Sequence, residues 1–135
     1  MSVRAGAAGM AEGTIETDDA PPAADYGRAT PTDDRVFTAG QVALTPERKS
    51  LADEPVDVRA EQVPSDLAAV LSAAGADLGS TPKTTVHLAD IDDYGTVNDV
   101  YGDYFGGDPP ARSAVDVGTL PPGMAVEIEA VATRA

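Results

Sequence analysis

The stretch from Met124 to Ala132 constrains this chain more than any other. Met124, Val126, Ile128, Ala130 and Ala132 fall on one side of a period-two pattern, and Ala125, Glu127, Glu129 and Val131 on the other. Successive side chains of a strand point to opposite faces. The segment therefore reads as a strand with one wholly apolar face and one face that carries two carboxylates. Just upstream, Pro109-Pro110-Ala111-Arg112-Ser113-Ala114-Val115-Asp116-Val117 gives a second strand signal carrying one arginine, and Gly118 to Gly123 connects the two. If these strands pair as a hairpin, Arg112 and Glu127 could share a face; the sequence does not fix the pairing.

The rest of the chain supplies neighbours for these strands. Residues 1–12 are rich in Gly and Ala without periodicity and read as a flexible extension ahead of a single domain over 13–135. Glu12 to Thr17 gives a short edge-strand signal and Tyr26 to Ala29 another. Ala20 to Asp25 is a loop, because adjacent prolines block helix and remove ladder donors. After a turn at Pro31 to Asp34, Arg35 to Val42 reads as a buried strand running into Gly40, which permits another group to approach the backbone closely. Asp57 to Ala74 is helical in pattern, with Leu67, Val70, Leu71, Ala74 and Leu78 on one stripe. Pro64 fits best in a first turn, so the regular helix is expected to begin near Val63 or to kink there, and Gly75 suits the C-terminal cap. Lys83 to Leu88 reads as a strand. Asp90 to Phe105 reads as a second helix, capped by Asp90 or Asp92, with Ile91, Tyr94, Val97, Tyr101 and Phe105 on its apolar side. The order β-β-β-α-β-α-β-β predicts an α+β fold, one sheet with both helices on one face. The uncovered face calls for a second subunit.

Composition narrows the function classes. A length of 135 residues with 42% apolar content, no Trp and two Phe gives one core built from small aliphatic side chains. The absence of cysteine excludes disulfides, thiolate nucleophiles and Cys-ligated zinc. No apolar run approaches the roughly 18 residues that span a membrane, and no secretory h-region is present, so a cytoplasmic protein is expected. The formal net charge is −14, and the nine basic residues include only two lysines, Lys49 and Lys83. Such a surface repels nucleic acid and anionic membranes. The acids are spread along the chain, a pattern that resembles proteins of salt-accumulating halophiles, where screening within about 3 Å at 1 M salt relieves the repulsion.

Arg112 and a glutamate read first as a structural ion pair. The functional alternative is that the planar guanidinium binds a ligand carboxylate in bidentate fashion, while Glu127 holds or activates a water. His87 is the single histidine, lies on a strand and reads as structural, since no second His or Cys supports a metal site. Asp90, Asp92 and Asp93 read as caps, and Tyr94, Tyr101, Tyr104 and Phe105 as helix packing. No glycine-rich phosphate loop occurs.

Several segments, in order, resemble the Rid/YjgF family of reactive intermediate deaminases. Pro110 to Val117, Leu120 and Val126-Glu127-Ile128 are similar to its signature. Lys83-Thr84-Thr85-Val86-His87-Leu88-Ala89-Asp90 resembles "KTTVFLxD". Asp93-Tyr94-Gly95-Thr96-Val97-Asn98 with Tyr101 and Phe105 resembles "DFxxVNxxYxxYF". Phe37-Thr38-Ala39-Gly40-Gln41 resembles "FTSGQ", and Ala20-Pro21 with Tyr26 resembles "APxAIGPY". The resemblance covers about residues 13–135. It implies a chorismate mutase-like fold with a six-stranded mixed sheet, a barrel-like homotrimer with clefts between subunits, and hydrolysis of enamine or imine intermediates to 2-oxo acids and ammonia without metal or organic cofactor. By the same resemblance Arg112 grips the substrate carboxylate and Glu127 positions water. Tyr26, Ala39, Gly40, Tyr94, Asn98 and Ala114 line the substrate site. Ala39 stands in place of a serine, Ala24-Asp25 replace the Ile-Gly-Pro before Tyr26, and Ala114 stands where some relatives have cysteine. Two other functions remain open: binding of 2-oxo acids without turnover, and an RNA-directed activity, which the negative charge opposes.

Overall fold

In a computed structural model, residues 2–4, 14–18, 28–43, 51, 53–118, 120 and 124–134 are described. They form strands β1 (Ser2–Arg4), β2 (Thr14–Glu16), β3 (Ala29–Pro31) and β4 (Arg35–Thr38), helix α1 (Val56–Ala73), strand β5 (Lys83–Leu88), helix α2 (Tyr94–Phe105), and strands β6 (Ala111–Asp116) and β7 (Val126–Thr133). One mixed sheet runs in the order β1-β2-β3-β4-β7-β5-β6. Every pairing is antiparallel except β5 with β6. That exception follows from connectivity: α2 joins β5 to β6, and a helical crossover brings the chain back in the same direction.

The alternation of the last strand does what its pattern demands. Val126, Ile128, Ala130 and Ala132 are buried, while the residues between them are partly exposed. β5 matches it, with Thr84, Val86 and Leu88 buried and Lys83, Thr85 and His87 half-exposed. The buried set joins Val36 of β4, Ala60, Val63, Leu67, Val70 and Leu71 of α1, and Val97, Tyr101 and Phe105 of α2 in one core. Both helices thus lie on the same face, as the α+β reading predicts. The opposite face carries Phe37, Val115 and Val117, each more than 40% exposed.

Two expectations need correction, and one possibility is not realised. The sheet has seven strands among the described residues rather than six, because Ser2–Arg4, assigned to a flexible extension, pairs with β2 through Ser2↔Glu16, Val3↔Ile15 and Arg4↔Thr14. Backbone pairing needs only an available edge, which composition does not report. Next, α1 begins at Val56, and Pro64 lies well inside it. The missing N–H costs one bond to the Ala60 carbonyl; burial of Pro64 with Val63 and Leu67 outweighs that loss. Finally, β6 and β7 do not form a hairpin, since β5 lies between them.

The end of α1 matches its sequence signal. Gly75 takes φ +80°, its N–H donates to the Ser72 carbonyl at 3.1 Å, and the Ala76 N–H reaches back to the Leu71 carbonyl at 2.9 Å. These are the two bonds of a Schellman cap. A Cβ at Gly75 would meet nothing within 4 Å, so substitution there tests backbone conformation alone. Gly75→Ala is expected to lower unfolding stability by about 1 kcal/mol, read by urea titration with an unchanged m-value.

Candidate active site

The expected site residues fall into two groups, one on each face of the sheet. The first is built on β6, a sheet edge. Arg112 stands beside Thr84 of β5, in register on the helix-covered face. Its Nη2 donates to the Tyr94 hydroxyl at 2.9 Å. Its guanidinium carbon lies 4.7 Å from the Tyr101 ring centroid and 5.6 Å from that of Tyr94, within the range where the negative face of a ring attracts a cation. Tyr101 is itself fixed: it stacks on Phe105 at 4.4 Å and shares a 2.6 Å hydrogen bond with the Thr84 hydroxyl. Burial pushes the Tyr101 phenol up, against opposing pulls from that bond and from the Arg112 charge, so the ring under the guanidinium stays neutral at physiological pH.

The start of α2 is tied to the same strand. The Asp116 carboxylate accepts from the Ile91 N–H at 3.3 Å, and Asp90 caps the preceding turn by accepting from the Asp92 N–H at 2.9 Å. These bonds fix Tyr94 relative to Arg112. Asn98 follows Tyr94 by one helical turn and is exposed, and Ala114 is half-buried two residues from Arg112 on the same strand face. Among the described residues no carboxylate lies within ion-pair distance of Arg112. A structural ion pair of Arg112 with Glu127 or Glu129 is therefore not formed, and among the described residues the Tyr94 hydroxyl is the side-chain hydrogen-bond partner of the guanidinium.

The second group lies on the uncovered face. Glu127 of β7 faces His87 of β5 directly, and Glu129 faces Thr85. Gly40 backs Glu127: a Cβ at Gly40 would fall 2.6 Å from Glu127 Cγ and closer still to its carboxyl group. Only glycine lets the carboxylate lie against this backbone. The segment is anchored by a two-way bridge, Gln41 N–H to Ile128 carbonyl at 2.8 Å and Ile128 N–H to Gln41 carbonyl at 3.1 Å. The fully buried Gln41 side chain accepts from the Arg28 guanidinium and donates to the Ala39 carbonyl at 2.7 Å. Ala39 N–H in turn donates to the Arg28 carbonyl at 2.9 Å. Thr38 points the other way, into the core, where its hydroxyl accepts from the Ala130 N–H at 2.9 Å.

Arg112, Tyr94, Asn98 and Ala114 thus form one half, and Glu127, Gly40 and Ala39 the other. Within one chain the two halves stand on opposite faces of the sheet. β5 lies between β6 and β7, and its registers, Thr84 with Arg112 and His87 with Glu127, turn the two residues to opposite faces. Tyr26 lies outside the described residues. Two contributors were not foreseen in these roles. Thr84 anchors Tyr101, and His87 stands with Nδ1 3.9 Å from Glu127 and Nε2 3.8 Å from Glu129. The period-two pattern of Lys83, Thr85 and His87 held the second signal.

A family model described as endoribonuclease L-PSP matches residues 17–134. The mouse protein named 2-iminobutanoate/2-iminopropanoate deaminase is 44% identical over 121 residues, covering 89% of this chain and 90% of its own length. The chain belongs to the Rid family. Among solved structures, RidA from the Antarctic bacterium Psychrobacter sp. is similar with a TM-score of 0.84 and 35% identity, covering 89% of this Rid chain and 98% of that one. TdcF of E. coli with bound serine is similar with a TM-score of 0.83 and 34% identity, covering 90% and 98%. Among the described residues of this Rid chain, no helix is long and apolar enough to cross a membrane.

The Gly40 cradle yields a direct test. The far end of a glutamate side chain can swing away where backbone cannot. Gly40→Ala is therefore expected to fold, with stability within about 1 kcal/mol of wild type, while a crystal structure shows the Glu127 carboxylate displaced from its place against residue 40. An undisturbed Glu127 in that variant would contradict the close approach.

Proposed function

We propose that this protein is an enamine/imine deaminase that hydrolyses 2-imino acids to 2-oxo acids and ammonia, in clefts between the subunits of a homotrimer. The observation that carries the reading is Arg112: a guanidinium oriented by Tyr94 and Tyr101, with no carboxylate of the described residues within ion-pair distance. A fixed, planar cation of this kind suits a small substrate carboxylate. The names of the mouse relative and of RidA, and the serine bound to TdcF, support a small amino-acid-like ligand.

The chemistry asks little more of the protein. Arg112 orients the substrate through its carboxylate. Water oxygen bonds to the imine carbon as the C=N electron pair moves to nitrogen, and Glu127 takes the water's proton. Glu127 returns that proton to nitrogen, giving a carbinolamine; the hydroxyl proton then passes through Glu127 to the nitrogen, the C–N electron pair leaves with nitrogen as ammonia, and the oxygen closes to the carbonyl. No metal or organic cofactor enters these steps. Because Glu127 and Arg112 lie on opposite faces of one sheet, the reading requires that Glu127 and Gly40 of one copy meet Arg112 of another. The exposed Phe37, Val115 and Val117 favour covering that face with a second copy. The acidic chain, at −14, makes association stronger in high salt and weighs against an RNA substrate. One observation favours an alternative, binding of 2-oxo acids without turnover: Ala39 brings no hydroxyl to the Gly40 segment.

The test is to generate 2-aminoacrylate from serine with a dehydratase and follow its disappearance in high salt. The protein is expected to accelerate it. Arg112→Ala is expected to lower kcat/KM by about 100-fold or more, the scale of a lost charge-assisted pair. Tyr94→Phe keeps the guanidinium and loses only its hydroxyl anchor, so KM is expected to rise about threefold to tenfold with kcat within about twofold. No acceleration, or Arg112→Ala acting like wild type, would overturn the deaminase reading; 2-oxobutanoate binding with no turnover would establish the alternative.

A further inference from the structure

We infer that Thr84 is a positioning residue for Arg112, acting through the Tyr101 ring, and that its hydroxyl sets how tightly the site holds a ligand carboxylate. The consequence rests on the carboxylate-binding reading of Arg112 proposed above. Thr84 stands in the core-facing row of β5 with Val86 and Leu88, and all three are closed to solvent. A valine would fill that position with nearly the same volume. A hydroxyl there needs a partner inside the protein, because burying it alone is unfavourable. The partner is the Tyr101 hydroxyl, 2.6 Å away. A polar pair thus sits in an otherwise apolar row, directly beneath the arginine.

Two contacts fix the Tyr101 ring. Stacking on Phe105, with centroids 4.4 Å apart and planes 24° apart, sets its tilt. The bond to Thr84 holds its far end and stops the ring from swinging about its Cα–Cβ bond. The ring so held lies 4.7 Å from the guanidinium carbon of Arg112. An aromatic ring attracts a cation over its face and not at its edge, so turning the ring would shift the guanidinium. Thr84 and Arg112 are also direct neighbours in the β5–β6 ladder. Hydroxyl, ring and cation therefore close a loop across two strands and α2. Tyr94 holds the same guanidinium from the solvent side, through an exposed side chain. Thr84 and Tyr101 are buried, so their bond is complete within one chain. It does not wait for the second copy whose Glu127 the proposed function brings to Arg112.

The direction of the effect follows. Recognition of a carboxylate by a guanidinium depends on the orientation of the planar fork. A fork that is already oriented spares the ligand the cost of ordering it. Loss of the Thr84 bond therefore weakens ligand binding. It leaves the chemical step of bound substrate nearly unchanged, because Arg112 and Glu127 are both still present.

Three substitutions separate position from stability. Thr84→Val keeps the volume and loses the bond, Tyr101→Phe keeps the ring and loses its tether, and Thr84→Ser keeps the bond and loses a buried methyl. Affinity for 2-oxobutanoate is read by calorimetry, and KM and kcat in the 2-aminoacrylate assay. Thr84→Val and Tyr101→Phe are each expected to weaken 2-oxobutanoate binding and raise KM about threefold to tenfold, the scale of one neutral hydrogen bond, with kcat within about twofold. Thr84→Ser is expected to unfold at lower temperature yet bind within about twofold of wild type. The double variant Thr84→Val with Tyr101→Phe is expected to bind as weakly as either single one, since both remove the same bond. Wild-type affinity in the valine and phenylalanine variants, losses that multiply in the double variant, or a serine variant as weak as the valine one would each overturn the inference. Binding by wild type without turnover would sink the deaminase reading, and the affinities would still decide the role of Thr84. Turnover by wild type with affinities unmoved in the variants would sink the inference alone. A wild type that neither binds nor turns over leaves Arg112 no carboxylate to hold and overturns both.

Discussion

The parallel pairing of β6 with β5 decides where chemistry can happen in this molecule. Because α2 carries the chain from one strand to the next in the same direction, β6 is laid at the sheet edge and Arg112 comes to rest beside Thr84, under α2. The chain then crosses to the far side of β5 to form β7, and the alternation that buries Val126, Ile128, Ala130 and Ala132 turns Glu127 to the opposite face. One topological choice and one hydrophobic pattern separate a cation suited to a carboxylate from the acid suited to water.

Each half is held by interactions that cost the fold little. Tyr101 serves the core through Phe105 and serves Arg112 through its ring, with Thr84 satisfying its hydroxyl. Gly40 sits next to a backbone bridge that also extends the sheet, and Gln41 spans from that bridge to buried Arg28. Rigid elements thus orient both functional groups before any ligand arrives, which is the condition for orientation to contribute to rate. The half that carries Glu127 lies on a face with exposed apolar side chains, and the half that carries Arg112 lies at an edge. Both are surfaces on which another copy of the chain can be seated.

Much of this was legible in the sequence, for stated physical reasons. Period-two alternation identified the buried and exposed faces of β7, and the 3.6-residue stripe through Leu67, Val70 and Leu71 found the core face of α1. Gly75 marked the helix end because few other residues take a positive φ there. Pairing was not legible: period two tells which face a residue occupies but not which strand lies beside it, so the hairpin that could have joined Arg112 to Glu127 was only a possibility, and β5 lies between the two strands instead. Pro64 misled because local propensity gave way to burial against the sheet. His87 read as structural since its neighbours, Glu127 and Glu129, lie some forty residues away in sequence and are brought near only by the β5–β7 register. The site residues themselves were picked out by resemblance to the Rid family; geometry then divided them into two groups.

On the deaminase reading proposed above, this division places each active site between two chains. Mixing Arg112→Ala protein with Glu127→Gln protein, after dissociating and reassociating them together, tests this most directly. If the sites form between copies, each inactive variant supplies what the other lacks, and a one-to-one mixture recovers about a quarter of wild-type deaminase activity by random pairing at the interfaces. If Arg112 and Glu127 serve one site within a single chain, every chain in the mixture carries a lesion, and activity stays at the level of the separate variants.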